Sequence, residues 1–416
     1  MNKVTLSEIA EITMGQSPKG DTCNIIGEGK PLLNGPTEFG DFFPSAKQFT
    51  TKGNKFSKKG DILFCVRGST TGRMNWADKE YVLGRGLASI RHKKGEKFNH
   101  FLKYLIEINL NSILKSTSGS TFPNLTNDIL KSFKVLIPNE IEAEKINNFL
   151  KNLDTKIEIN NKINQELEQM AKTLYDYWFV QFDFPNEQGK PYKSSGGKML
   201  YSEELKREIP DGWEVGTLLD IATYTNGLAC QKHRPTTDEY LPVIKIREMR
   251  DGFTANTEKV KKDIPEKLIV NNGDILFSWS ASLDVIIWSG GKGGLNQHIF
   301  KVTSDKFPKS FYYFQLIWYL QHFKMIADLR KTTMGHITQD HLKQSRIAIP
   351  PIEIVNQLDK ILNPIQKKQV IINQENQELT ALRDWLLPML MNGQVRVKEA
   401  EEVLGMVAES ELRYGE

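Results

Sequence analysis

A catalytic chain of 416 residues should carry residues spaced for chemistry. Its seven histidines include no pair at i and i+4, so no H-E-x-x-H helix can hold zinc beside its own general base. Cys23, Cys65 and Cys230 lie far apart and compose neither a zinc cluster nor a disulfide framework. That usage suits a reducing compartment, and the cytoplasm is the expected location. Gly290-Gly-Lys-Gly-Gly294 lacks the G-x-G-x-x-G spacing that seats a pyrophosphate on a helix N-terminus. Ser194-Ser-Gly-Gly-Lys198 resembles a phosphate cradle but lacks the G-x-x-x-x-G-K-[ST] spacing and has no strand leading into it. An adenine methyltransferase would need an Asn/Asp-Pro-Pro-Tyr/Phe tetrapeptide to hold the extruded base, and a metal-dependent nuclease an acidic cluster followed by E-x-K. Neither occurs. The expectation is a protein without catalysis or a cofactor of its own.

The elements behind such residues are those of folded domains. Apolar residues make up 39% of the chain and charged residues 25%, and the length suits two or three domains. The densest apolar run, Phe311–Leu320, is too short for a bilayer and contains Gln315, and Met1–Glu8 has no signal-peptide core. No membrane partner is expected. The net charge is +4, unevenly spread: residues 1–140 hold 20 basic and 13 acidic side chains (+7), residues 201–350 hold 20 and 18 (+2), and the rest sums to −5. Two separate basic blocks permit a nucleic-acid partner without requiring one.

The chain is written twice, at an offset of about 212 residues. Thr5-Leu-Ser-Glu-Ile-Ala10 returns as Thr217-Leu-Leu-Asp-Ile-Ala222, and Gly60-Asp-Ile-Leu-Phe64 as Gly273-Asp-Ile-Leu-Phe277. Ser120–Leu130 returns as Thr332–Leu342, and Val135-Leu-Ile-Pro138 as Ile347-Ala-Ile-Pro350. Each copy opens with short strands and Gly-rich turns, interrupted by one helical stretch near Asn99–Leu114 or Lys309–Leu329. Each then changes to a period near 3.5. Ile146, Leu150, Leu153, Ile157, Asn160, Ile163, Leu167, Met170, Leu174 and Tyr177 form one seam, and the positions from Leu358 to Met389 form the other. Two long helices pairing as a coiled coil are predicted, with Pro364 expected to start or kink the second. About 40 residues at ~1.5 Å rise make a rod of roughly 60 Å.

Several stretches together resemble the DNA-specificity subunit of type I restriction-modification systems. They are the connector Phe182-Asp-Phe-Pro185, Pro191-Tyr-Lys-Ser-Ser-Gly-Gly-Lys-Met199 and Ile209-Pro-Asp-Gly-Trp213, the Ser/Thr-Thr-x-x-Asn/His-Leu/Ile-Thr signatures at 120–126 and 332–338, and the ends Trp178-Phe-Val-Gln-Phe182 and Leu387-Pro-Met-Leu-Met-Asn-Gly393. Asn296-Gln-His-Ile-Phe-Lys-Val302 is a further likeness, from which the first copy departs with Arg85-Gly-Leu-Ala-Ser-Ile90. The resemblance implies an α+β fold: two homologous mixed α/β target-recognition domains, separated by two long antiparallel helices forming a coiled coil with a pseudo-twofold repeat. Its segments would be 1–140 and 213–350 for the domains, 141–182 and 351–395 for the spacer helices, 183–212 for the connector and 396–416 for an acidic tail.

The resemblance also implies a non-catalytic subunit of a restriction endonuclease and adenine-DNA-methyltransferase complex. Each domain would read one half of an asymmetric bipartite site in double-stranded DNA. Two modification subunits would carry S-adenosylmethionine, and two motor-nuclease (restriction) subunits using ATP and Mg²⁺ can join them. Arg matches guanine and Asn matches adenine at bidentate geometry in the major groove, while Lys, Ser and Thr suit phosphates. On those grounds the first-domain readers are Arg67, Arg73, Arg85, Lys115, Ser120, Thr121 and Asn124. Those of the second are Ser278, Trp279, Ser280, Lys292, Lys331, Thr332, Thr333 and His336. Asn296, Gln297 and His298 are expected to be structural. Partner subunits are expected on Tyr175, Tyr177, Trp178, Phe179, Leu386, Leu387 and Leu390, read as an exposed cluster. The competing readings are a protein-binding scaffold on a coiled-coil spacer and an enzyme with an unrecognised site.

Overall fold

The computed structural model describes residues 1–40, 42–116, 124–329 and 336–402. It divides into two units, one from Met1–Glu158 with Leu379–Glu416, the other from Ile159–Glu378. In the first unit, Thr5 closes a capping box: its backbone N–H and hydroxyl donate to the Glu8 carboxylate at 2.5 and 2.8 Å. A four-stranded antiparallel sheet follows, built from β1 (Ala10–Met14), β2 (Ile62–Cys65), β3 (Met74–Trp76) and β4 (Leu87–His92) in the order β1-β4-β2-β3. Strand β2 is apolar on both faces because both are covered. Ile62 and Phe64 pack on α1 (Asn99–Lys115), while Leu63 and Cys65 face a second sheet in which Lys30–Leu33 runs parallel to Val82–Leu83.

The second unit repeats this plan. Its sheet is β5 (Thr223–Asn226), β6 (Ile275–Ser278), β7 (Asp284–Ile287) and β8 (Ile299–Thr303), in the order β5-β8-β6-β7. Thr217 repeats the capping box through Asp220, and the strands Tyr240–Ile244 and Gly293–Leu295 repeat the parallel pair. The second Gly-Asp-Ile-Leu-Phe motif shows why the first recurs. Gly60 and Gly273 take φ of +82° and +87°, where a side chain would clash. Asp61 and Asp274 accept the backbone N–H of Lys58 and Asn271, each at 2.8 Å, and hold the sheet cations Arg91 and Lys301. These motifs build the turn that starts the central strand. The fold is the predicted duplicated α+β pair.

The spacer helices are α2 (Glu140–Tyr175) and, after α3 (Lys309–Leu329), α4 (Ile352–Met391). In the first unit Ile146, Leu150 and Leu153 of α2 pack with Leu386, Leu387 and Leu390 of α4. In the second unit the two helices meet antiparallel through amides. Asn160 donates to Glu375 and Asn376 at 2.8 and 2.9 Å, Asn164 to Asn373 at 2.6 Å, and Asn376 to Asn161 at 2.7 Å. The predicted seam of α2 is continuous to Asn160, and beyond it Leu167 and Leu174 still pack against the second core. Ile163, Met170 and Tyr177 point outward, and the buried face passes instead through Ala171, Tyr175 and Trp178. An α-helix of 3.6 residues per turn drifts by ~20° per heptad from a 3.5 repeat, so a strict seam walks off the contact face. Helix α4 also runs through Pro364 without stopping. Pro364 lies on the exposed side, where water can hydrate the carbonyl of Lys360 that loses its donor.

Two further expectations change. Tyr175, Trp178, Phe179, Leu386, Leu387 and Leu390 are not exposed but lie in the two cores, and of the proposed partner cluster only Tyr177 reaches the surface. The helix ends in a π-helical turn, Asp176–Val180, that faces the aromatic residues onto Phe311, Phe314 and Trp213. The C-terminal segment also begins inside a core, with Val397 and Ala400 packed in the first unit. In the connector, Ser194 donates its N–H and hydroxyl to Asp183 at 2.7 and 2.6 Å, so its donors are taken by a carboxylate.

Candidate nucleic-acid interface

The ends of β1 and β2, the start of β4 and the segment after residue 123 meet at one rim of the first unit. Val66 donates its N–H to Gly86, Leu125 to Val66 and Gln16 to Leu83, at 2.8–2.9 Å. Gly15 runs so close over this turn that a Cβ there would lie 2.2 Å from the Gly84 carbonyl oxygen. The hairpin from β2 to β3 closes with Cys65 donating to Arg73 at 2.9 Å, and its Gly72 lies against Leu110 in the last third of α1. Arg67, Arg73, Arg85 and Asn124 therefore share one rim and are all exposed, with exposed Lys115 at the end of the adjoining helix. Arg67 and Arg73 could have been surface ion-pair residues. Among the described residues, neither they nor Arg85 lie within 4 Å of a carboxylate, unlike Arg91 on Asp61 and Arg383 on Asp154.

The same backbone bonds recur in the second unit. Trp279 donates to His298 at 3.3 Å, Ile337 to Trp279 at 2.9 Å and Leu228 to Leu295 at 3.0 Å. Gly227 repeats Gly15, with a Cβ position 2.2 Å from the carbonyl oxygen of Asn296. This framework matches Gly84-Arg85-Gly86 to Asn296-Gln297-His298, Arg67 to Ser280 and Asn124 to His336. The side chains there differ in kind. The Trp279 ring packs against His298 and His336 at centroid distances of 5.6 and 5.5 Å, and its Nε1–H donates to Asn226 Oδ1 at 3.1 Å. Ser280 Oγ lies 3.2 Å from His298 Nδ1, and Gln297 Nε2 lies 3.2 Å from His298 Nε2. One rim is cationic, the other aromatic and amide-rich.

The predicted second-domain readers are only partly brought together. Trp279 and His336 lie on the rim. Ser278 is fully buried and locks the hairpin, its hydroxyl donating to the Ser282 carbonyl at 2.6 Å and accepting from Asp284 N–H at 2.9 Å, and so is not a reader. Ser280 is buried too and lies against His298. Lys292 is exposed but stands at the opposite end of β6: its neighbour Gly291 donates to Asn272, ahead of that strand. Ser120, Thr121, Lys331, Thr332 and Thr333 fall outside the described residues. Gln297 and His298, expected to be structural, are half-exposed rim residues, whereas Asn296 is buried as expected. The offset of 212 from Arg85 to Gln297 was the signal for the first of them.

The family model described as type I restriction modification DNA specificity domain matches residues 1–169 and again 210–381. The MjaIX type I restriction enzyme specificity subunit of Methanocaldococcus jannaschii is 28% identical over 357 residues, covering 82% of this chain and 79% of that protein. The HindI type I restriction enzyme specificity subunit of Haemophilus influenzae is 25% identical over 415 residues, covering 84% and 90%. The crystal structure of the type I restriction-modification S subunit from M. genitalium superposes with a TM-score of 0.54 at 17% identity, over 94% of this chain and 96% of that one, a likeness of fold. No helix among the described residues is long and apolar enough to cross a membrane.

Proposed function

The chain belongs to the type I restriction-modification DNA specificity family, as a specificity subunit with two target-recognition domains, and from that premise we propose how it reads DNA. Each rim takes the major groove of one half of a bipartite, asymmetric site, and α2 and α4 set the number of base pairs between the halves. The observation that carries this is one backbone framework holding unlike side chains: Arg67, Arg73 and Arg85 in one copy, Trp279, Gln297, His298 and His336 in the other. A fixed framework sets register on the duplex, and its changeable side chains set sequence. Uncompensated arginines suit guanine edges and phosphates. The second rim suits amide contacts to adenine and apolar contact with thymine methyls. The chain itself does no chemistry. S-adenosylmethionine is assigned to two modification subunits, and ATP and Mg²⁺ to motor-nuclease subunits, in the cytoplasmic compartment that holds the DNA.

Arg85→Ala is expected to cost ~1–3 kcal/mol of discrimination and to relax one position in one half-site only. Sequencing of adenine methylation in cells carrying the variant complex reads this directly. Exchanging residues 1–140 for those of another family member should likewise change one half-site and spare the other. Change in both halves, or in neither, would falsify the reading. Affinity for the duplex should fall steeply with salt, whereas a protein-binding scaffold would show no duplex binding even with its partners present.

A further inference from the structure

The second unit contains a cavity of about 430 Å³ that the DNA-reading rim does not use. Its walls are the end of α2, the middle of α3, the strand Arg346–Ile349 and the hairpin of Met199–Ser202 with Arg207–Pro210. Buried Tyr175 and Phe179, two residues of the expected partner cluster, line it. The Tyr175 hydroxyl is sealed from solvent, with Gln315 as its polar neighbour. Arg207 lies above the Phe182 ring at 5.0 Å, and burial pulls its guanidinium pKa down. Among the described residues no carboxylate lies within 4 Å of Arg207, whereas Arg346 across the cavity is paired with Glu204 at 3.1 Å. The turn that delivers Arg207 carries Lys206 at φ +50°, a conformation that side chains with a Cβ rarely adopt.

A half-buried cation without a counter-charge destabilises the free chain. One anion seated in the cavity would satisfy it. The cations and Glu204 leave a single surplus positive charge, which suits a monoanion better than a phosphate. A guanidinium fork fits a carboxylate in particular. The lining carries an exposed aromatic side chain, Trp318, 49% exposed, beside half-buried Tyr319. Trp and Tyr beside a half-buried Arg are the composition of protein-interface hot spots, whereas a nucleic-acid backbone favours more charge and less apolar surface. We propose that this cavity is a socket for an Asp or Glu side chain presented by a protein subunit of the same complex, with an apolar neighbour of that residue covering Trp318. The proposal rests on the family reading for its choice of partner.

The test uses the full-length chain and a purified modification subunit as the probe. Arg207→Ala and Trp318→Ala should each weaken association by about 30-fold or more. Arg207→Lys keeps the charge, loses the fork and should weaken it about tenfold. Arg207→Ala should leave the unfolding temperature of the chain alone unchanged or raise it, because the uncompensated charge is gone. Added guanidinium ion should restore part of the association. Unaltered association in both alanine variants overturns the socket while leaving the family reading intact. So does a fall in unfolding temperature matching the lost association, which would mark a structural cation. A loss confined to DNA affinity and its salt slope would assign the cavity to phosphate instead. If the unmodified chain fails to bind any modification subunit, the assembly reading and the socket fall together.

Discussion

Deleting residues 159–165 from α2 together with 372–378 from α4 is expected to leave both half-sequences of the target unchanged and to shorten the gap between them. Affinity for the original target should fall by at least ~100-fold, because two readers gain from each other only when both can engage at once. The two deletions match across the antiparallel pair and remove Asn160, Asn161, Asn164, Asn373, Glu375 and Asn376 as one set, so these side chains leave with their partners and only Gln369 loses its contact with the Asn164 carbonyl. Seven residues at ~1.5 Å are ~10 Å of helix, the rise of about three base pairs. Twist argues for a smaller step. Three base pairs turn the duplex by roughly 100° at 10–10.5 per turn, whereas seven residues turn a helix only ~20° from where it began. The expected change is therefore one to three base pairs, with rise setting the upper value and twist the lower. Methylation sequencing of the deletion complex reads the new gap. Altered half-sequences, or an unaltered gap, would show that the helices are not the ruler.

The parts of this molecule legible in its sequence are those in which backbone geometry restricts residue type. Thr5-x-x-Glu8 and Thr217-x-x-Asp220 are capping boxes, and Gly60-Asp61 and Gly273-Asp274 are turns with a carboxylate lock. Such requirements survive duplication, and they gave the offset, the domains and the helices between them. The seam of α2 was continuous as far as Asn160 and held beyond it only at Leu167 and Leu174, because the pattern was followed at a period of 3.5 while the helix turns every 3.6 residues. The rim was half legible. Residue type alone picked out Arg67, Arg73 and Arg85, since an arginine on a polar loop is conspicuous. It misjudged Ser278, because a buried hydroxyl closing a hairpin is written with the same letter as one facing a groove. Gln297 and His298 were missed because their positions are defined by backbone bonds to Leu228 and Trp279, which no local pattern announces. The aromatic cluster at Tyr175–Phe179 was read as exposed because a π-helical turn changes which face its rings present.

Asp154→Ala is expected to destabilise the first unit by about 3–5 kcal/mol, the usual consequence of stripping one partner from a buried charge network. Asp154 stands on α2 and is 5% exposed. It accepts from Tyr104 Oη at 2.5 Å, His100 Nδ1 at 3.2 Å and Arg383 Nη1 at 3.2 Å, so one carboxylate joins α1 and both spacer helices. Burial alone would raise its pKa. The His100 hydrogen bond, the Lys103 charge, the Tyr104 hydroxyl and Arg383 together outweigh that and hold it below the ordinary carboxylate range. A carboxyl group depressed on folding contributes fully above its unfolded pKa, ~3.9, and loses that contribution as pH falls through the folded value. The alanine variant should therefore lose most at neutral pH and converge on the parent in strong acid. Truncation also strands Arg383, which is 18% exposed at its side chain and, among the described residues, keeps only the neighbouring Asp384 as a carboxylate partner. The double variant Asp154→Ala with Arg383→Ala should for that reason cost less than the sum of the single changes, by ~0.5–3 kcal/mol. The second unit has Gln366, Tyr312, Leu316 and Ala171 at the matching positions, so its unfolding transition should stay where it was. Calorimetry of the full chain that resolves two transitions, with the lower one shifted by roughly 10 °C, is the expected result. A loss below ~1 kcal/mol would mean that water replaces the carboxylate in this network, and that the junction of α1 with the spacer is held by the apolar contacts of Leu150, Leu153 and Leu386 alone.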